Sequence, residues 1–396
     1  MKIRRKLRIA ALALLCLGAA VYFGGLRWRQ ARLHRRVARA LGALEGGSDA
    51  WIDRQLIAEI TGNPRYEPEL RLFHAAWLLN IGEPAGVFPA IAGLRPEGEI
   101  RASLLLVLGE AYYKTGQLPE SERVFRQLTL ADPQNSRAHR WLATIYHDLG
   151  NIVAAFGELE KVAELEPDDF FAYRLMGMIN LLDYQKHKEA AACYRKALER
   201  SPPEEQTQAM RLELAQAMAA MNDFAGATDV LDAAQVNARV LAQKAECRWG
   251  VGEREQAIEL LSQALALDPL ERRALLLKAR FALEDGKPDA AVAPLKSVLE
   301  DDPHDFNTRY QLSIAYRRLG DKQASVFELE QSNASKELRS RLNHLYAEAM
   351  QRAGDVGVRI EIAEVCDMLR KPDLAQKWRR SAEYCRQQGG GINLPN

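Results

Sequence analysis

Seven histidines and five cysteines are the chain's candidates for nucleophilic, acid–base or metal chemistry. The histidines (His34, His74, His139, His147, His187, His304 and His344) form no HExxH pair, and none stands beside a cysteine at metal-ligand spacing. The cysteines (Cys16, Cys193, Cys247, Cys366 and Cys385) are scattered with no CxxC pair. They read as small buried thiols inside helices rather than as a disulfide framework; only Cys366 and Cys385 could meet, across the last helix pair. Phosphate-cradling glycine loops and the GxSxG nucleophile elbow are missing. Acid pairs such as Asp168-Asp169 and Asp301-Asp302 fall where one helix ends and the next begins, which suits capping rather than general acid–base work. No catalytic residue, cofactor or metal ligand is assigned, and the chain is expected not to be an enzyme.

What remains is recognition chemistry, and the elements that must carry it repeat. The sequence is rich in Ala and Leu and has no alternating Val, Ile and Thr run that would make a sheet. Gly82, Gly116 and Gly150 lie 34 residues apart, and so do Gly252, Gly286, Gly320 and Gly354. The prolines agree: Pro133 to Pro167 and Pro269 to Pro303 are each 34. Between the two blocks the ruler slips, near 185–240. Pro167 to Pro202 is 35, and the next unit turns at Asn222 and lacks its proline.

Residues 102–135 set the pattern, with Leu108-Gly109, Tyr112, a turn at Thr115-Gly116, Ser121, Phe125 and an exit at Pro133. This spacing resembles the tetratricopeptide repeat family over most of residues 65–388. The resemblance implies an all-α, right-handed solenoid of helix-turn-helix repeats and a binding scaffold. Small residues recur in the first helix (Gly109, Ala143, Gly177, Ala215, Ala245, Ala279) and in the second (Ser121, Ala155, Ala190, Ala227, Ala257, Ala291). Bulky ones follow (Phe125, Leu159, Tyr194, Leu231, Leu261, Leu295), so no repeat buries its apolar face without its neighbours.

In that family the first helices line the concave face. Here the projecting positions include Tyr113, Arg140, His147, Arg174, Trp249, Arg273, Arg280, Tyr310 and Arg317, types enriched in interface hot spots. A groove so lined suits an extended or helical protein segment with acidic and apolar side chains. The chaperone-binding class of the family grips a carboxylate with Lys and Asn at two such positions; here Leu106 and Glu110, then Arg140 and Thr144, stand there, and that activity is not carried over.

The ends differ from the middle. Residues 49–101 read as a degenerate capping repeat whose second helix is interrupted by Gly86 and Pro89. The array proper spans 102–333, with Pro294 expected to kink a helix. Residues 321–333 read as its last helix, and Ser335–Arg352 as a separate, longer one. Residues 334–388 form atypical capping helices in which Trp378, Arg379 and Arg380 suit a solvated cap. Residues 389–396 read as a disordered tail.

The N-terminus is basic. Residues 1–44 hold 11 Lys and Arg and no acid, leaving 43 basic against 53 acidic residues in the remainder, a net charge of −10. An acidic body argues against nucleic-acid binding, and no small-molecule substrate is evident. After the basic tail 1–8, residues 9–26 run 18 residues without a charge, just long enough for a single transmembrane helix. A signal peptide cut after Ala20 is the other reading. The anchor is favoured because the apolar run continues to Leu26 and the basic segment 27–48 follows at once. The body then leans to the extracytoplasmic side, although the two basic flanks nearly cancel; the basic run 27–39 could instead lie on an anionic leaflet, which would place the body in the cytoplasm. Two functional readings follow: a membrane-anchored interaction scaffold, or a structural accessory subunit of an envelope or secretion assembly.

Overall fold

The computed structural model describes residues 28–47, 53–95, 97–352 and 354–387. The expected anchor at 9–26 and the tail 389–396 lie outside them. None of the described helices is long and apolar enough to cross a membrane. The described residues are helical throughout, with no strand, and divide into two compact units, one ending at Pro133 and one beginning at Gln134.

In the first unit, helix α1 (28–45) ends at Gly46-Gly47, where Gly47 takes a positive φ of 72°. Next come α2 (Arg54–Ile60), α3 (Glu67–Asn80) and α4 (Val87–Ile91). Asp53 caps α2 by accepting from the Leu56 N–H. Gly86 and Pro89 leave α4 only five residues long. A full hairpin, α5 (Arg101–Lys114) and α6 (Leu118–Ala131), completes the unit.

The second unit continues as hairpins. They are α7 (Ser136–Asp148) with α8 (Ile152–Leu165), α9 (Phe170–Leu182) with α10 (His187–Glu199), and α11 (Glu204–Ala220) with α12 (Phe224–Asp232). Then come α13 (Ala238–Gly250) with α14 (Arg254–Leu267), α15 (Arg272–Glu284) with α16 (Pro288–Asp301), and α17 (Phe306–Arg318) with α18 (Lys322–Gln351). The last pair is α19 (Val356–Met368) with α20 (Pro372–Gln387).

Each turn is closed by a residue in the left-handed region. Gly116 has φ 83°, Gly150 70°, Gly252 88° and Gly286 72°; in the degenerate turn Asn222 takes the same role at 61°. The left-handed residue lets the next N–H reach back and close the helix end. Thus the Gln117 N–H donates to the Tyr112 carbonyl at 2.8 Å and the Lys287 N–H to that of Ala282 at 2.8 Å.

The hairpins are locked by matched volumes. A Cβ on Gly109 would stand 2.6 Å from the Phe125 ring, and one on Gly177 would stand 3.0 Å from that of Tyr194. Where the second helix presents Leu instead (Leu159, Leu231, Leu261, Leu295), the facing residue is Ala (Ala143, Ala215, Ala245, Ala279). All six bulky residues are at most 4% exposed. Ser121 replaces the usual Ala because its hydroxyl donates to the Gly109 carbonyl at 2.7 Å. Ser325 repeats the device on Ser313 at 2.9 Å.

At the slip, α11 lengthens to 17 residues and α12 shrinks to nine. A cleft of ≈520 Å³ opens there, lined by Asp232, Lys244, Arg248 and Leu260 among others.

Several expectations need correcting. Leu106, expected on the open face, is 1% exposed and belongs to the core of the first unit. Asp169 does cap α9, but Asp302 caps only a turn, on the His304 N–H, and Asp305 caps α17. Pro294 sits inside α16 without ending it. Residues 321–333 and 335–352 are not two helices: α18 runs unbroken for 30 residues from Lys322. The repeat position that holds Pro133, Pro167, Pro269 and Pro303 elsewhere holds Glu337 here, so nothing removes a backbone donor or clashes with the preceding turn. The far half of α18 reaches the α7–α8 turn, where Asn343 Oδ1 stands 3.3 Å from the place a Gly150 Cβ would take. Trp378 is not solvated: it is fully buried, stacked on Tyr346 at 5.7 Å between ring centres. Arg379 meets the solvent side of α20 and pairs with Asp367. Cys193, Cys247, Cys366 and Cys385 are all free thiols.

Two stability measurements check these points. Glu337→Pro should cost about 3 kcal/mol in urea unfolding followed by circular dichroism, because it breaks α18; unchanged stability would mean that the helix is interrupted there in solution. Gly109→Ala should cost about 1–3 kcal/mol through overpacking against Phe125. Adding Phe125→Leu, which recreates the Ala–Leu pairing of the neighbouring repeats, should recover part of that loss.

Candidate protein-binding face

The predicted binding residues sit on first helices, and the structure places them in different circumstances. Tyr113 is half-buried at the end of α5, in the first unit, beside a Lys114–Glu110 pair at 2.9 Å. The other eight belong to the second unit. Arg140 of α7 is engaged by the next hairpin. Its Nη2 donates to Glu166 at 2.7 Å and Asp169 at 3.0 Å, and its guanidinium stands 5.5 Å from the Phe171 ring centre. Arg174 of α9 is held by Glu213 at 2.6 Å and also by Gln206. His147 is exposed, with Asp148 3.9 Å away. The neighbouring Asp148 carboxylate raises its pKa against the opposing effect of burial.

The structure gathers the rest between α13 and α17. Arg273 and Arg280 of α15 converge on Glu246 of α13, at 2.5 and 3.0 Å. Burial pushes the Glu246 carboxyl up, but the two guanidinium charges and their hydrogen bonds outweigh it and hold its pKa below the usual range. Beside this cluster Trp249 stacks on Phe281, ring centres 3.9 Å apart and nearly parallel at 3°. Its indole N–H donates to Glu284 at 2.5 Å, and Arg254 covers the ring at 4.8 Å. Tyr310 of α17 stands 51% exposed. Arg317, two turns further along the same face, is exposed too, and among the described residues no acid pairs with it.

Reading the sequence one repeat at a time finds the arginines and misses the acids that hold them. The missed residues are Glu166, Asp169, Glu213 and Glu246, with Phe281 as the partner of Trp249. A signal was present: Glu246 and Arg280 occupy the same position in consecutive 34-residue repeats with opposite charge. Adjacent repeats bring such positions side by side, so the pair meets. The more exposed of these pairs contribute little stability individually, but all of them fix which way each arginine points.

A family model described as tetratricopeptide repeat matches residues 106–170 and 243–306. These two segments are similar to tetratricopeptide repeats. Among curated proteins, DnaJ homolog subfamily C member 3 from Rattus norvegicus is 27% identical over 226 residues, covering 57% of this chain and 41% of that protein. The Homo sapiens protein of that name is 26% identical over the same extent. The chain therefore spans less than half the length of the curated relatives it matches. Among solved structures, a tetratricopeptide repeat protein from Parabacteroides merdae covers 63% of this chain and 98% of its own, with a TM-score of 0.51 at 14% identity. At that identity the likeness shows the fold alone.

The Glu246 cluster gives a pH signature. Because the carboxyl is held below its ordinary value, it contributes stability above that value and loses it as pH falls from the ordinary carboxylate range through its depressed pKa. The stability gap between wild type and Glu246→Gln should be full at neutral pH and close across that window, as read by urea midpoints at a series of pH values. A gap that stays constant would show that Glu246 is not ion-paired in solution.

Proposed function

We propose that this chain is a non-catalytic, membrane-anchored tetratricopeptide scaffold that holds a segment of another protein along the first helices of residues 238–318. The observation that supports this reading is the pairing of a pre-stacked aromatic platform, Trp249 on Phe281, with open Tyr310 and Arg317 further along the same series of helices. Rigid aromatics and arginines are the residues that dominate interface energetics. Arg273 and Arg280, held by Glu246, present an oriented cationic edge between them. The matching partner is an extended or helical segment bearing apolar and acidic side chains. Residues 9–26 would tether the scaffold, with the repeats on the extracytoplasmic side.

The structural-subunit reading draws on a different observation. Arg140, Arg174, Arg273 and Arg280 are all engaged by acids of the same chain, so much of this face is neutralised before any partner arrives. Stoichiometry separates the two: a recruited segment exchanges, whereas an assembly subunit co-purifies in a fixed ratio.

Crosslinking and mass spectrometry on the membrane fraction should identify a protein partner. Tyr310→Ala with Arg317→Glu should weaken its capture about 30-fold, the size of a hot-spot loss. Capture unchanged by the double variant would remove this face from the interface. Release of the chain by alkaline carbonate would count against the anchor, and protease resistance of the repeats on spheroplasts would place them on the other side.

A further inference from the structure

The first helix of the N-terminal unit carries charge that no acid among the described residues neutralises. α1 packs through Val37, Ala40, Leu41 and Leu44, all at most 5% exposed. With 3.6 residues per turn, Trp28, Arg32, Arg35 and Arg39 fall in one line on the opposite side. That row is exposed and extends for about 17 Å along the helix. Arg29 flanks it. Arg36 is engaged by Asp53 and Glu59, each at 2.8 Å. Among the described residues no acid pairs with Arg29, Arg32, Arg35 or Arg39. Arg35 and Arg39 use only Nε, on the carbonyls of Ala31 and Arg35 at 3.3 and 3.4 Å, which leaves their outer nitrogens available. Trp28 is 59% exposed, with the Arg32 guanidinium 5.7 Å from its ring centre. Beside the row, between α1 and α2, a cleft of ≈1160 Å³ is edged by Trp28, Arg29, Arg32 and Arg39 and has Leu33 and Leu56 in its wall.

Like charges spaced three and four residues apart on a helix repel one another, so a row of this kind is favourable only against an external anion. We propose that this face of α1 lies on an anionic phospholipid surface. The arginines take headgroup phosphates, for which the planar guanidinium is shaped, and Trp28 sits at the interface, where one end of the indole is wet and the other apolar. A straight exposed row fits a flat surface. The acidic remainder of the chain disfavours close approach of a long polyanion such as nucleic acid. That the row begins two residues after the uncharged stretch 9–26 puts it beside a membrane on the anchored reading; the charge pattern itself does not depend on that reading.

The test uses the full chain reconstituted in nanodiscs of phosphatidylcholine, with or without phosphatidylglycerol. Arginines are modified with phenylglyoxal, and the rate at each is followed by peptide mass spectrometry. Arg317, exposed in the second unit, is the internal reference. Modification of Arg32, Arg35 and Arg39 should slow on the order of 10-fold in the anionic discs, since each basic residue near such a surface adds several-fold to its affinity. It should recover at about 1 M salt, where screening reaches ~3 Å, while Arg317 reacts at one rate throughout. Equal rates in the two discs overturn the proposal. So does equal protection in neutral discs by inorganic phosphate, which would mark a free-anion site, or by a DNA duplex. Co-elution of the chain with neutral discs reports the anchor separately. A chain that fails to co-elute, yet is protected at these arginines by anionic vesicles, removes the anchor and keeps the lipid-binding face.

Discussion

The repeat architecture rests on one close approach, made once in each of six hairpins, from α5–α6 to α15–α16. A small residue on the first helix lets the second helix come near enough for its bulky residue to fill the space. The two sizes vary together: Gly109 faces Phe125 and Gly177 faces Tyr194, whereas Ala143 and Ala279 face Leu159 and Leu295. The sum is conserved even though neither member is. Close-packed interiors respond to a single methylene, so this matching fixes the distance between helices. It therefore fixes where every first helix directs its outer face. The binding residues make no such contact themselves; their geometry is inherited from it.

On that outer face electrostatics takes over from packing. Arg140, Arg174, Arg273 and Arg280 each reach toward acids of the following or preceding hairpin. These links tie neighbours in register and hold long side chains in single orientations, which lowers the ordering cost a partner must meet. The same links reduce the net charge the face offers. What stays open is concentrated at Tyr310 and Arg317, toward the end of the array. A partner is thus selected more by the aromatic platform and a few oriented cations than by a broad positive field.

Much of this was legible in the sequence. Glycines at the turns announce themselves because φ near 70–88° is strained for most other residues, and the small–bulky alternation is a steric requirement that repeats. Features written as missing signals were harder. The fusion in α18 depends on Glu337 where Pro would stop a helix, and Ser332, Asn333 and Ser335, at the junction of the two expected helices, are weak helix formers; Ser332 is tied down by its hydroxyl bond to the Phe306 carbonyl at 2.7 Å. Trp378 was misread because Arg379 and Arg380 beside it suggested solvent, although on a helix adjacent residues point about 100° apart. Glu246 was missed because charge pairing runs between repeats and not along one. Tyr113 illustrates a different gap: the position within a repeat can be read locally, but membership of a compact unit cannot.

The return of α18 to the α7–α8 turn changes how the second unit should come apart. An open array of repeats behaves as a one-dimensional chain in which each member feels only its neighbours, and its ends fray first. Here Asn343 against Gly150, and Tyr346 within the electrostatic reach of Asp148, give the last helices a second neighbour near the beginning of the series. A chain joined in this way has fewer free ends to nucleate opening. Backbone amides of the terminal repeats would then exchange with solvent together with the middle ones, as one cooperative block rather than as a gradient running inward.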